Sequence, residues 1–141
     1  VRFMTDTEPQ LVNAAIKRGT SDGVDMMAHA LYKSGEVFAA CTSSLMTDSN
    51  YVLIGGTLGS VSARAALAGN TVENVLQVHF LKGDVLREER FPSENPYITE
   101  LEYFARCIEH KERPSPDAEN SLKNIQLLEE VFDKGTENVL A

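Results

Sequence analysis

Asn95-Pro96-Tyr97-Ile98-Thr99-Glu100-Leu101-Glu102-Tyr103-Phe104-Ala105-Arg106-Cys107-Ile108-Glu109-His110-Lys111 carries its own start and stop signals. Asn95 is placed to cap a helix, and Pro96 follows at the first helical position, where a missing N–H costs nothing. Tyr97, Leu101, Phe104, Ala105 and Ile108 recur at helical spacing, and His110 and Lys111 set basic groups at the carbonyl end. The spacing predicts an amphipathic helix. Arg113-Pro114-Ser115-Pro116 then breaks the chain. A second helix is predicted behind it, with Ser115 as cap, Pro116 as opener, and Asp117 and Glu119 in the positive first turn. Ala118, Leu122, Ile125, Leu128, Val131 and Phe132 form its stripe, which ends at Lys134-Gly135. Two such stripes need cover, and the β-rich segment before them is the expected partner.

Working outward from the helices, the preceding chain reads as strands joined by short turns. Val24 onward alternates, with Met26, Ala28, Ala30 and Tyr32 on one side and Asp25, Met27, His29, Leu31 and Lys33 on the other. Lys33-Ser34-Gly35-Glu36 is a tight hairpin signal, and Val37 to Met46 continues as a strand with Val37, Ala39, Cys41 and Leu45 on one face. Tyr51 to Ile54, Val61 to Leu67, Val75 to Leu81 and Val85 to Phe91 follow, separated by Gly55 to Ser60, a polar stretch and Lys82-Gly83-Asp84. Gly19 to Gly23 and Thr47 to Asn50 are turn chemistry. Gln10 to Arg18 fits a helix through Leu11, Val12, Ala15 and Ile16, and a strand through Val12, Ala14 and Ile16.

Strands in series followed by two helices predict an α+β fold: an open, predominantly antiparallel sheet with helices packed on one face. The other face is then available for oligomerisation. On that side fall Met27, Leu31, Phe38, Met46, Val75 and Leu81 among polar His29, Thr42, Ser44, Gln77 and His79, a mixed surface of the kind that binds protein.

At 141 residues the chain is expected to form one domain with its own core. Its acidic residues outnumber the basic ones 21 to 13, giving a net charge of −8, and no basic patch interrupts this balance. The composition argues against nucleic acid and anionic lipid as partners, and no run is apolar enough for a membrane helix. Cys41 and Cys107 stand alone, far apart, and are expected to be reduced core thiols, consistent with a cytoplasmic address. The chain opens Val1-Arg2-Phe3-Met4, without an initiator methionine or signal-peptide pattern, and is expected to be a piece of something longer.

Few residues invite a chemical role. Gly55-Gly56-Thr57-Leu58-Gly59 lacks the Gly-x-Gly-x-x-Gly spacing and any following helical pattern, so a turn between strands outweighs a phosphate loop. His29, His79 and His110 lack the companions of a metal site, and Ser43-Ser44 sits inside a strand with no nucleophile elbow. Glu88-Glu89 and Glu129-Glu130 are adjacent pairs whose members point apart. No catalytic, cofactor-binding or metal-binding residue is assigned. Asp25, Arg64, Asn95 and Tyr97 remain as candidates for a substrate-side wall, Tyr97 because it opens a helix whose N-terminus suits hydroxyl-bearing ligands. Each also has a structural explanation: a strand-turn cap, a surface ion pair, a helix cap and a core anchor, respectively.

The wording Asn95-Pro96-Tyr97-x-x-Glu100-Leu101-x-x-Phe104-x-x-Cys107-Ile108, Arg113-Pro114-x-Pro116 and Ala118-Glu119-x-x-Leu122-x-Asn124-x-x-Leu127-Leu128 resembles the end of Gfo/Idh/MocA-type oxidoreductases. Within them it is most similar to the glucose–fructose oxidoreductase and dimeric dihydrodiol dehydrogenase branch. The resemblance spans nearly the whole chain but only the second domain of such an enzyme. It implies a helix end at Val1 to Met4, a turn at Thr7-Glu8-Pro9, and a strand over Gln10 to Arg18. It also implies that residues 1–141 are a single C-terminal, substrate-binding and oligomerising domain, with NAD or NADP held by an N-terminal Rossmann domain and none bound by this piece alone. The parent enzyme would act on a sugar or related alcohol or carbonyl compound and assemble as a homo-oligomer through the open sheet face. The catalytic motifs of the family lie before the first residue here, so the isolated chain is expected to be inactive. The competing expectation is a stand-alone protein-interaction module with no catalytic role.

Overall fold

The computed structural model describes residues 1–19, 23–47, 50–64, 73–80 and 85–139. The element order is α1 (Arg2–Thr5), β1 (Gln10–Arg18), β2 (Asp25–Ser34), β3 (Val37–Ser44), β4 (Tyr51–Gly56), β5 (Gly59–Arg64), β6 (Asn74–Phe80), β7 (Val85–Phe91), α2 (Pro96–His110), α3 (Ala118–Lys134) and β8 (Thr136–Val139). The α+β class and the predominantly antiparallel pairing stand as expected. Among the described residues the strands divide into two four-stranded sheets, ordered β3-β2-β1-β8 and β4-β5-β6-β7. Contacts group the chain into two compact units, Val1–Asp48 with Ser115–Ala141, and Ser49–Pro114. The expected turns at Thr20 to Asp22, Asp48-Ser49 and Lys82-Gly83-Asp84, the strand ends beyond Arg64, and Leu81 lie outside the described residues.

In the first unit, Gln10–Arg18 is a strand, and a register shift between Leu11 and Asn13 decides which side chains it buries. Leu11 lies opposite Tyr32, so Leu11 joins the core while Val12, expected there, is exposed. Ala14, Ile16, Tyr32 and Val131 close the core, with Val1, Ala30 and Leu127 against it. Gly35 at φ 60° turns the β2–β3 hairpin, a left-handed conformation that glycine adopts without penalty. Cys41 is exposed because β3 is the edge of its sheet, which corrects the expected core thiol; Cys107 is buried.

Helix α3 packs on one face of this sheet, and of the stripe expected from its sequence only Val131 is buried there. It turns Leu127 and Val131 to β1, leaving Leu122, Ile125, Leu128 and Phe132 exposed. Its apolar arc is wider than one contact line, and only one edge of it meets the strand. Asp117, rather than Ser115, caps α3: its Oδ1 accepts the Asn120 N–H at 2.9 Å, so the helix opens at Ala118. At the far end the Gly135 N–H donates to the Val131 carbonyl at 2.9 Å. A Cβ on Gly135 would stand 2.5 Å from that carbonyl oxygen and 3.1 Å from Ile16 Cδ1, so the close approach of helix end to strand requires glycine. The chain then forms β8, a strand the sequence reading did not anticipate, parallel to Ala15–Arg18 of β1.

A polar network ties α1 to the same helix. Arg2 Nε donates to Glu8 Oε2 at 2.7 Å, Arg2 Nη1 donates to Asn124 Oδ1 at 2.9 Å, and Lys123 Nζ lies 3.3 Å from Glu8 Oε1. The Arg2 guanidinium, with Lys123 beside it, holds the Glu8 carboxyl below its ordinary range. The Thr7 hydroxyl is hydrogen-bonded to buried Ser34, and that of Thr5 meets the same Ser34 Oγ at 2.9 Å, so the Thr7-Glu8-Pro9 turn is fastened to the end of β2.

In the second unit, β4 and β5 meet through Thr57-Leu58, which settles the glycine cluster as a hairpin turn. The register sets Gly55, Ser60 and His79 in one cross-strand row and Leu53, Ser62 and Gln77 in the next, on the same face. On the opposite face Ile54, Val61 and Val78 align. Helix α2 begins as predicted: Asn95 Oδ1 accepts the Tyr97 N–H at 3.0 Å and Pro96 follows. Its predicted stripe, Tyr97, Leu101, Phe104 and Ile108, is exposed throughout, whereas Cys107 is buried and Tyr103 half-buried.

Candidate functional site

The polar edge of α2 lines a concavity in the second unit. Pro96, Thr99, Glu100 and Tyr103 are spaced i, i+3, i+4 and i+7, so they share one side of the helix. They line a cavity of about 530 Å³ together with Asn74 at the start of β6, Phe91 at the end of β7, and Pro92 and Glu94 in the connection. Asn74 and Phe91 are cross-strand partners, so the sheet end and the helix start meet there.

The cavity is acidic and rich in acceptors. Among the described residues Glu94 and Glu100 are its charged members, and no lysine or arginine lines it. Thr99 Oγ1 donates to the Asn95 carbonyl at 3.4 Å, leaving its lone pairs free to accept. Asn74 Oδ1 is enclosed and has no hydrogen-bond partner among the described residues. The nearest strand cation is already neutralised: Arg90 donates to Glu73 at 2.8 Å and to Glu88 at 2.6 Å. A hydrogen bond from Gln77, then Arg90, holds the Glu88 carboxyl below its ordinary range. The arrangement suits a ligand bearing several hydroxyl or amino donors.

The four residues singled out from sequence do not assemble as one cluster. Asn95 and Tyr97 are joined by the cap hydrogen bond beside the cavity, but neither lines it, and the Tyr97 ring is largely exposed. Asn95 therefore does the structural work of a cap, while Tyr97 is no core anchor of its unit. Arg64 ends β5, opposite Tyr51 and Val75, and forms no ion pair among the described residues. Asp25 belongs to the first unit, where it starts β2 opposite Arg18. Glu94, Thr99, Glu100, Tyr103 and Asn74 were missed. The polar i, i+3, i+4, i+7 edge of α2 was legible as a second periodicity, overshadowed by the apolar one; Asn74 and Phe91 become neighbours only through strand pairing. His29 donates or accepts at Thr42 Oγ1 (2.9 Å) and contacts Met27 Sδ (3.0 Å), while His79 lies in the other sheet. Among the described residues no group of three His, Cys, Asp or Glu side chains is placed to hold a metal ion, and no helix is long and apolar enough to cross a membrane.

No protein-family model matches the sequence, and no curated protein matches it. Solved structures do share its fold. A 3-ketoreductase from Actinomadura kijaniata, in complex with NADP and TDP-benzene, superposes with a TM-score of 0.79 at 18% identity, over 95% of this chain and 42% of its own. An aldose–aldose oxidoreductase from Caulobacter crescentus, complexed with glycerol, superposes with a TM-score of 0.80 at 22% identity, over 94% of this chain and 41% of its own. The chain thus spans about two-fifths of the length of these oxidoreductases and has the fold of that part.

Proposed function

We propose that this chain is the substrate-binding and oligomerisation domain of a nicotinamide-dependent oxidoreductase acting on a sugar or a related alcohol or carbonyl compound. The observation that carries the proposal is the extent of the shared fold: nearly all of this chain corresponds to two-fifths of enzymes that handle NADP or aldoses. The remaining length in those enzymes leaves room for a dinucleotide domain, which supplies the hydride carrier, NAD or NADP. On this proposal residues 1–141 form the C-terminal domain of a two-domain protein and bind no dinucleotide alone.

The chain's own contribution is a wall for the substrate. The cavity at the start of α2 offers carboxylate, amide and hydroxyl groups that can fix hydroxyl-rich compounds, with Asn95 holding the helix start in place. Asp25, in the first unit, and Arg64 and Tyr97, in the second, are kept as separate substrate-side candidates outside this cavity. The uncovered apolar stripes on α2 and α3, and the face of the first sheet bearing Met27, Leu31 and Phe38, support burial in a larger assembly. Oligomerisation is assigned to that sheet face.

The test is to express the complete reading frame that contains these residues and compare it with residues 1–141. The complete protein is expected to turn over aldoses or keto-sugars with NADPH or NADH, and residues 1–141 to give no fluorescence change on titration with either dinucleotide. A complete protein without a dinucleotide domain supports the interaction-module alternative. Saturable dinucleotide binding by residues 1–141 overturns the assignment of the cofactor to another domain.

A further inference from the structure

We infer that helix α2 pairs antiparallel with α2 of a second copy of this chain, along a seam that runs from Glu94 to Lys111. The seam is written into the spacing. Glu94, Tyr97, Leu101, Phe104, Ile108 and Lys111 stand three, four, three, four and three residues apart, the alternation that keeps one narrow line of a helix facing a partner helix. Its four apolar members are between 53% and 73% exposed, so nothing among the described residues covers the line. The covered positions of α2 lie on another side of the helix, where Cys107 is buried and Tyr103 half-buried.

Charge at the two ends selects both the partner and the direction. Turned about a two-fold axis between Glu102 and Tyr103, the seam sets Leu101 against Phe104, Tyr97 against Ile108, and Glu94 against Lys111 of the partner subunit, once at each end. The line is therefore complementary to itself, as a two-fold interface requires. Glu94 and Lys111 flank the helix, both are exposed, and neither forms an ion pair among the described residues. A parallel pair sets like charges side by side and aligns the two helix dipoles, whereas the antiparallel pair joins opposite charges and opposes the dipoles. An α-helix of 15 residues is about 22 Å long, so the contact is short, at the low end of interface sizes, and the association is expected to be weak and reversible. Because Glu94 also lines the cavity at the start of α2, pairing brings Lys111 of the partner subunit to the rim of a cavity that no lysine or arginine among the described residues lines. The pairing is independent of the sheet face assigned to oligomerisation and of the oxidoreductase reading.

The test is analytical ultracentrifugation at low salt of residues 1–141 carrying Phe38→Asp, an exposed substitution that removes the first sheet face from any association. A reversible, concentration-dependent dimer is expected. Leu101→Asp, also at an exposed position, is expected to abolish the dimer and leave the circular dichroism unchanged. Lys111→Glu sets like charges at both ends and is expected to raise Kd about tenfold, as is Glu94→Lys; the two together exchange the charges and are expected to restore Kd to within about twofold. Should Leu101→Asp fail to fold, the charge exchange carries the test. No dimer in the Phe38→Asp protein, a dimer indifferent to Leu101→Asp, or charge variants that do not rescue each other overturn the pairing. So does a complete parent protein whose association Leu101→Asp leaves unchanged, since another part of that protein then covers the seam. Because the readout is mass, its failure leaves the oxidoreductase proposal standing, and absence of turnover in the complete protein leaves the pairing standing.

Discussion

The two units use similar parts to opposite ends. In the first, a helix lies on a sheet, and Ala14, Ile16, Tyr32 and Val131 are sealed between them; in the second, α2 turns a polar edge toward its own unit and leaves Tyr97, Leu101, Phe104 and Ile108 uncovered. Both helices have comparable amphipathic patterns, so the pattern alone does not decide what a stripe will meet. The difference teaches where stability and function separate. The first unit is fastened by packing and by the Arg2–Glu8–Lys123 network, whereas the second carries the concavity at the start of α2.

The largest expected contrast comes from truncating one apolar side chain in each unit. Ile16, 1% exposed, is expected to cost about 2–5 kcal/mol as Ile16→Ala, the range for a core cavity. Leu101→Ala, at a position 69% exposed, is expected to change the stability of the monomeric chain by less than about 0.5 kcal/mol. Denaturant titration at a concentration where the protein is monomeric reads both, and equal losses would erase the distinction between the units.

A smaller contrast lies in the two helix caps. Asp117→Ala and Asn95→Ala each remove one side-chain acceptor at a helix start and are each expected to cost about 1 kcal/mol. Hydrogen exchange distinguishes where the loss is felt. Asp117→Ala should lower protection across the first unit, because α3 is part of its core, while Asn95→Ala should expose only the first turn of α2. The reverse distribution would place the stabilising helix in the wrong unit.

The smallest effect is electrostatic. The carboxyls of Glu8 and Glu88 are both held below the ordinary value of 4.5, Glu8 by the Arg2 hydrogen bond and Glu88 by the Gln77 and then the Arg90 hydrogen bond. A carboxyl lowered in the folded state contributes stability that is complete above its unfolded value and is lost as pH falls through its folded one. Stability is therefore expected to decline below pH 4.5, with Glu8→Gln flattening the part that belongs to the first unit. A pH profile that this substitution leaves unchanged would remove the network from the account of that unit.

Much of this architecture was legible because local chemistry specified it. Asn95-Pro96 started α2, Gly35 turned a hairpin, Gly55 to Gly59 joined two strands, and Lys134-Gly135 ended α3. What escaped depends on pairing between distant residues. The register shift that exchanges Val12 for Leu11, the parallel strand β8 and the division of the strands into two sheets are set by neighbours far along the chain. The candidate site was partly legible for the same reason. Its helix edge has a period that can be read in one stretch, but Asn74 and Phe91 meet only when β6 pairs with β7.

The parallel pairing of β8 with β1 bears on how the chain reaches its native state. The first unit is assembled from Val1–Asp48 and Ser115–Ala141, so its sheet is complete only once β8 has been synthesised. Ser49–Pro114, by contrast, is one uninterrupted segment and emerges whole beforehand. In vectorial synthesis Ala14, Ile16 and Tyr32 are made more than ninety residues before Val131, which completes their cluster, whereas the cross-strand partners of the second unit follow one another closely.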